Sequence, residues 1–219
     1  RLSPYVGFET PRIHRLGGSV WQNTKRKVKE ETEKLARELL GLYARRHVAT
    51  RPPHRGDHML EEKFAEAFPY QETADQVRAE QEIMADLSRS EPMDRVLCGD
   101  VGFGKTELAL RAALRVIISG RQVAMLAPTT VLAAQHERTM RERFRDLPVS
   151  IAMLSRLTLP KDKRQTLKAI GEGTTDLVVG THRLLSGDIT FKNLGLVIID
   201  EEQRFGVKQK EVLKNIRAE

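Results

Sequence analysis

Eight consecutive residues, Gly99-Asp100-Val101-Gly102-Phe103-Gly104-Lys105-Thr106, fit the pattern G-x-x-x-x-G-K-[ST]. Glycines at such a turn let successive backbone N–H groups point inward around phosphate oxygens, and a following helix adds the positive end of its dipole. The lysine brings a point charge to the β- and γ-phosphates, and the Thr106 hydroxyl suits the coordination shell of Mg²⁺. A Gly-rich turn with a purely structural purpose has no need of Lys-Thr at its end. The ligand implied is ATP·Mg²⁺, bound through Gly99 to Thr106.

A second group of chemically capable residues ends the run Leu196-Val197-Ile198-Ile199-Asp200-Glu201-Glu202-Gln203. Four apolar residues read as a buried strand, and the carboxylates stand at its exit. Asp200 is the candidate for the metal side of the site, with Glu201 as the base that orients or deprotonates the attacking water. An acidic strand end by itself is more often a cap or a solvated loop. A phosphate loop upstream turns it into the second half of a hydrolytic site.

The elements that must position these residues alternate regularly. The sequence predicts a helix at about 75–88, a strand at 95–98, and a helix from the phosphate loop through Ile118. Strands at 122–127, 149–154, 176–180 and 196–200 then alternate with helices at 131–144 and 161–170. Short apolar strands separated by helices indicate an α/β fold with a parallel sheet covered on both faces. Ligand sites in such sheets lie at the carboxyl ends of the strands, where both motifs fall. Cys98, at the end of the first strand, is expected to be a small buried core residue. Upstream, residues 1–22 read as the closing strands and turns of a small β element. A helix is predicted from Thr24 to Arg46, with Val28, Leu35, Leu39 and Leu42 on one stripe and lysines crowding its first turn. Arg51-Pro52-Pro53-His54-Arg55-Gly56-Asp57-His58 reads as a loop. Two prolines and a glycine there make His54 and His58 loop histidines rather than a helical metal pair. Trp21 and Tyr43 read as packing residues.

Of the 219 residues, 40% are apolar and 31% charged, the composition of a soluble globular chain. The net charge of +7 is unevenly spread, with 13 Lys/Arg against 6 Asp/Glu in residues 1–60 and 24 against 24 in residues 61–219. The first quarter either meets an anionic partner such as nucleic acid or forms a solvated helix surface. One cysteine excludes an internal disulfide and a cysteine-based zinc site. With no long apolar run and no signal-peptide pattern at the start, a cytoplasmic location is expected. The chain starts at Arg1 and is expected to be a fragment of a longer protein.

Asp200-Glu201-Glu202-Gln203, with a Gln upstream of the phosphate loop, resembles the superfamily 2 helicases and translocases. Three stretches narrow the resemblance: Pro92 to Glu107, Gly180-Thr181-His182-Arg183-Leu184-Leu185, and Asp200 to Val207. Together they resemble the bacterial transcription-repair-coupling factors, with the RecG branch-migration helicases as the nearest confusable relatives. Tyr5-Val6-Gly7, Ile13 to Gly18 and Trp21 resemble the end of the RNA-polymerase-interacting domain of the former. Phe68-Pro69-Tyr70-Gln71-Glu72-Thr73-Ala74-Asp75-Gln76 follows in the same order.

The resemblance implies that residues 1–22 end the RNA-polymerase-interacting domain and that 23–63 form a helix and linker. Residues 64–219 would then be part of a first RecA-like, ATP-binding helicase domain. It assigns Gln76 to the adenine base and Gln203, with Arg204, to a link between the nucleotide and DNA sides. Thr129 and Thr130, Ser155 and Arg156, and Thr181, His182 and Arg183 are placed as DNA contacts. All follow strands, where hydroxyls and Arg can reach phosphates without reading sequence. The implied activity is ATP-dependent translocation on double-stranded DNA against stalled RNA polymerase, with nucleotide-excision-repair proteins as further partners. A RecG-like branch-migration helicase and a non-catalytic polymerase-binding module are the alternatives. The resemblance also places the arginine finger and the second motor lobe beyond Glu219, so the chain as given is expected to have negligible ATPase activity.

Overall fold

The strands of the sheet are short and mostly apolar: Gln122–Leu126 and Leu177–Gly180 are buried on both faces, and Ile151–Leu154 and Leu194–Ile199 are largely half-buried, so both sides call for cover. The computed structural model describes residues 19–100, 102–155, 158 and 160–201, and within them the chain divides into two compact units, 1–47 and 48–219. In the second unit the elements run α1 (His58–Glu66), α2 (Ala74–Leu87), α3 (Lys105–Ile118), β1 (Gln122–Leu126) and α4 (Thr130–Arg143). They continue with β2 (Ile151–Leu154), α5 (Pro160–Glu172), β3 (Leu177–Gly180), a 3-10 turn (His182–Leu185) and β4 (Leu194–Ile199). The four strands form one parallel sheet in the order β2-β3-β1-β4, the α/β architecture the alternation predicts.

Alternate residues along each strand face opposite sides, and the core divides accordingly. Val123, Met125, Leu177 and Val179 join α3 through Leu110, Ala113 and Leu114, and α4 through Ala133 and Met140. Leu126, Val178 and Leu154 face the other way and meet Ile170 of α5 and Leu184 of the 3-10 turn. Gly180 ends β3 where no side chain fits, because a Cβ there would stand 2.3 Å from the Leu154 carbonyl oxygen.

Helix α3, which the phosphate loop opens, is anchored by buried charge. Glu107, 6% exposed, accepts from Arg111 Nε at 3.1 Å and from Arg143 of α4 at 2.8 and 2.6 Å. Arg111 also reaches Glu80 at 2.6 Å and pairs with Glu72. Arg115 grips Glu61 of α1 through two bonds of 2.8 and 2.5 Å. These pairs tie α1, α2 and α4 to one helix. The guanidinium of Arg143 also lies 4.1 Å from the Phe64 ring centroid, a desolvated cation–π contact.

Three sequence expectations need correction. The stretch 95–98 is in no strand, and Cys98 is exposed rather than buried. Arg95 pairs with Glu82 and Asp86 of α2, and half-buried Met93 and Leu97 pack on the core, leaving Val96 79% exposed and Cys98 outward. Without a paired neighbour, the short run Val96-Leu97-Cys98 has no ladder to make it a strand. Second, the expected loop through His58 gives way to α1, which starts at His58 because the Asp57 side chain accepts from the Leu60 N–H as N-cap. Third, the helix of the first unit spans Ser19–Val48, so Trp21 is helical rather than in a β element. Its first turn, Ser19 to Gln22, therefore holds no lysine, and the lysines expected there stand further along the helix, away from the positive end of its dipole. Ion pairs at i,i+4, Arg26–Glu30, Lys29–Glu33 and Glu33–Arg37, line this helix, and Val28 and Leu40 are exposed.

His54 is in a loop, as the prolines predict, yet it is only 4% exposed. Its segment is strapped to the end of α2: the His54 N–H donates to the Leu87 carbonyl, and the Arg51 guanidinium to the Asp86 and Leu87 carbonyls. Such bonds satisfy carbonyls that a helix C-terminus leaves unpaired. Burial, with the Arg51 and Arg121 charges acting the same way, pushes the His54 ring down to about 4, although a hydrogen bond to the Gly195 backbone opposes this. Among the described residues no group of three or more His, Cys, Asp or Glu could hold a metal ion, and no helix is long and apolar enough to cross a membrane.

Candidate nucleotide and nucleic-acid site

The phosphate loop needs backbone that only glycine adopts cheaply. Gly102 and Gly104 have φ of 86° and 65°, in the left-handed region. Gly104 is also the N-cap of α3, and a Cβ there would meet Gln76 Nε2 at 2.6 Å. Conformation and space thus both demand glycine at this position.

Lys105 folds back over the loop it follows. Its ammonium donates to the Gly99 and Asp100 carbonyls at 2.7 and 2.6 Å. The cation lies against the turn that the sequence assigns to phosphate, and among the described residues its charge is met by carbonyl dipoles. A triphosphate oxygen is a stronger acceptor for an ammonium than a neutral carbonyl. Phe103, between the two left-handed glycines, is 56% exposed.

Gln76 supports the loop from α2. Its Oε1 accepts from the Thr73 N–H at 2.7 Å while the Thr73 hydroxyl accepts from the Gln76 N–H, a complete capping box. Its Nε2 donates to the Phe103 carbonyl at 3.0 Å. The carboxamide thereby joins the start of α2 to the middle of the phosphate loop. One amide hydrogen and one lone pair are left over for a base edge.

The acidic half follows from strand register. Leu126 pairs with both Gly180 and Ile199, and Leu154 pairs with Gly180. The next residue of each strand, Ser155, Thr181, Ala127 and Asp200, therefore stands in one row across the carboxyl ends. Backbone bonds from Ala127 N to the Gly180 carbonyl and from Asp200 N to the Leu126 carbonyl, 2.8 and 2.9 Å, hold that row level. Asp200 Oδ2 lies 2.8 Å from His136 Nε2. Glu201 takes φ 54°, left-handed backbone that costs a non-glycine residue on the order of 1–2 kcal/mol.

His136 escapes a reading of motifs. Its position on the buried stripe Ala133–His136–Met140 of α4 is the sequence signal that turns it toward the sheet. Glu107 likewise carries no motif role, although it holds two guanidiniums beneath the loop.

The expected DNA contacts do not all reach the surface. Thr129 is exposed and caps α4, its hydroxyl accepting from the Leu132 N–H at 3.2 Å; Thr130 begins the helix. His182 is exposed, whereas Ser155 and Thr181 are 3% exposed each. Ser155 N donates to the Thr158 hydroxyl, so this residue closes a turn instead of presenting its hydroxyl. Arg183 is gripped by both carboxylate oxygens of Asp188. That hydrogen-bonded guanidinium holds the exposed Asp188 carboxyl down at about 2. Val101, Arg156, Gln203 and Arg204 lie outside the described residues, as do the stretches 1–18 and 202–219 on which part of the resemblance rests.

The arrangement fits a nucleotide with Mg²⁺: a left-handed glycine turn, a lysine over it, the N-terminus of a 14-residue helix, and a carboxylate at the end of a sheet strand. Comparison with known proteins agrees. The chain is 50% identical over 220 aligned residues to the transcription-repair-coupling factor of Bacillus subtilis, covering 100% of this chain and 19% of that protein. It is 48% identical over 219 residues to that of Staphylococcus aureus strain USA300, with 99% and 19% covered. The chain thus spans about a fifth of the length of these relatives. A solved structure of RecG bound to a three-way DNA junction superposes with a TM-score of 0.71 at 40% identity, over 76% of this chain and 23% of that one. A hypothetical ATP-dependent RNA helicase from Sulfolobus tokodaii shares the fold, with a TM-score of 0.53 at 19% identity over 73% and 45% of the two chains. The family model of DEAD/DEAH box helicases matches residues 73–219, which contain the phosphate loop, its Gln76 support and the acidic strand end, and the chain belongs to that family.

Proposed function

We propose that this chain carries the ATP-binding half of a motor that translocates on double-stranded DNA and acts on stalled RNA polymerase to recruit repair. The observation that carries the nucleotide part is the phosphate loop, whose left-handed Gly102 and Gly104 and inward-folded Lys105 form a cradle at the N-terminus of α3. Lys105 exchanges its two carbonyls for phosphate oxygens, and Gln76 keeps the loop in shape from behind while offering its remaining amide valences to the adenine. Thr106 and Asp200 would hold Mg²⁺, which when bound neutralises phosphate charge. Glu201 orients water and accepts its proton. Thr129, Thr130, Arg156, His182 and Arg183 contact the DNA backbone, and Gln203 and Arg204 link the nucleotide and DNA sides.

Identity of 50% along the whole chain to a transcription-repair-coupling factor supports the polymerase-coupled reading. The likeness to RecG, at 40% identity over 76% of the chain, favours a branch-migrating motor as the second reading. One measurement tests the nucleotide site and a second separates the two readings. Fluorescent ATP should bind the intact protein and lose at least about tenfold in affinity in Lys105→Ala, as removal of charge-assisted bonds of 1.5–3 kcal/mol requires. Unchanged binding would refute the nucleotide site. Immobilised bacterial RNA polymerase should retain the intact protein; failure to retain it, with preserved ATP binding and preference for branched DNA, would favour the RecG-like reading.

A further inference from the structure

Asp200 is held from two sides that have no sequence motif in common. Its N–H donates to the Leu126 carbonyl of β1 at 2.9 Å, which pins its main chain to the sheet. Its side chain meets α4, where His136 Nε2 lies 2.8 Å from Oδ2. His136 is 9% exposed, on a helix whose start is capped by Thr129 and whose buried stripe packs on the sheet, so the ring has little freedom. Asp200 keeps a side-chain exposure of 32%, and Oδ1 has no hydrogen-bond partner among the described residues. An ionised carboxylate only accepts, so the Nε2 of His136 carries the proton and donates.

We propose that His136 is a positioning residue for the divalent cation that accompanies the nucleotide. Its Nε2–H occupies Oδ2 and so leaves Oδ1 as the oxygen that Asp200 presents to the metal. The proposal rests on the reading of Asp200 as the metal-side carboxylate. Partners that orient a ligating carboxylate typically change metal affinity 10–100-fold when removed. The contact also makes α4, which Thr129 caps and Thr130 begins, the element that orients the metal-side carboxylate.

The test uses the intact protein with a non-hydrolysable ATP analogue and Mn²⁺ as an EPR-visible stand-in for Mg²⁺. The Mn²⁺ dissociation constant of the ternary complex is read for the wild type, His136→Ala, His136→Gln and Asp200→Asn, with nucleotide affinity in EDTA alongside. Expected are the same nucleotide affinity in EDTA for the wild type and both His136 variants, a Mn²⁺ constant raised about 10–100-fold in His136→Ala, and recovery of most of that loss in His136→Gln, whose amide can donate in place of the ring. An unchanged Mn²⁺ constant in His136→Ala beside a raised one in Asp200→Asn would overturn the positioning role alone. An unchanged constant in Asp200→Asn would remove the reading of Asp200 on which the role depends. Loss of nucleotide affinity in EDTA for His136→Ala would make His136 a structural residue and likewise overturn it, as would His136→Gln behaving like His136→Ala.

Discussion

Gln76 and Phe103, 27 residues apart, meet through one hydrogen bond: the Gln76 Nε2 donates to the Phe103 carbonyl at 3.0 Å, in the middle of the phosphate loop. Because the same carboxamide closes the capping box of α2, the shape of the loop and the start of that helix depend on one side chain. Gln76→Ala is expected to cost about 1 kcal/mol of stability from the lost cap. It should also weaken ATP-analogue binding by up to about tenfold, the size of one net hydrogen bond of about 1 kcal/mol. Fluorescent-nucleotide titration with ATP and GTP analogues separates two roles. Equal losses for both mean loop support alone, and a larger loss for the adenine nucleotide adds base recognition.

Glu107 lies directly after the loop and accepts from Arg111 and Arg143 in the interior. Glu107→Ala leaves two guanidiniums short of their counter-charge and is expected to destabilise the fold by about 3–5 kcal/mol. Denaturant unfolding monitored by circular dichroism measures this. Glu142→Ala, which breaks only the exposed Arg138–Glu142 pair, should shift stability by less than about 0.5 kcal/mol.

His54 makes stability depend on pH. Its folded value of about 4 lies below the ordinary 6.5, so the unfolded chain takes up the proton first as pH falls. The neutral ring's contribution is complete above about pH 6.5 and is lost as pH drops toward 4. At full size it corresponds to about 3 kcal/mol. Thermal or urea unfolding between pH 7 and 4.5 should show this decline in the wild type and a flatter profile in His54→Gln.

The proposed contact of Arg183 with a DNA phosphate competes with its hold on Asp188. Asp188→Asn weakens that hold and is expected to tighten DNA binding, whereas Arg183→Ala should weaken it and lower the salt slope by about 1. Since the carboxyl is held at about 2, acidification to pH 5 should not imitate Asp188→Asn. Fluorescence anisotropy with duplex DNA at several salt concentrations measures both variants, and indifference of both would make the pair a loop clasp.

Much of the fold and half of the site could be read before any coordinate. Strand runs such as Gln122–Leu126, apolar after its first residue, and Leu177–Gly180 are separated by amphipathic helices, which leaves a parallel sheet with two covered faces as the economical solution. The phosphate loop is legible because its chemistry is local: glycines at fixed spacing, a lysine and a helix start lie within eight residues. The capping box was open to the same kind of reading, since Thr73 and Gln76 are three apart.

What local spacing does not contain is which distant groups meet. The pattern of 95–98 suits a strand, but a strand exists only through a neighbour, and Arg95 instead pairs with α2. Burial of His54 depends on where Gly195 and α2 lie, and exposure of Cys98 on which face of its segment meets the core. The sequence alone determined an α/β chain with a nucleotide loop, an acidic strand end and membership in a helicase-type family. Only tertiary structure decided that His136 touches Asp200, 64 residues away, and that Arg183 is spent on Asp188. Such contacts are set by the register of strands and the packing of helices, whereas a motif records only what its own few residues can do.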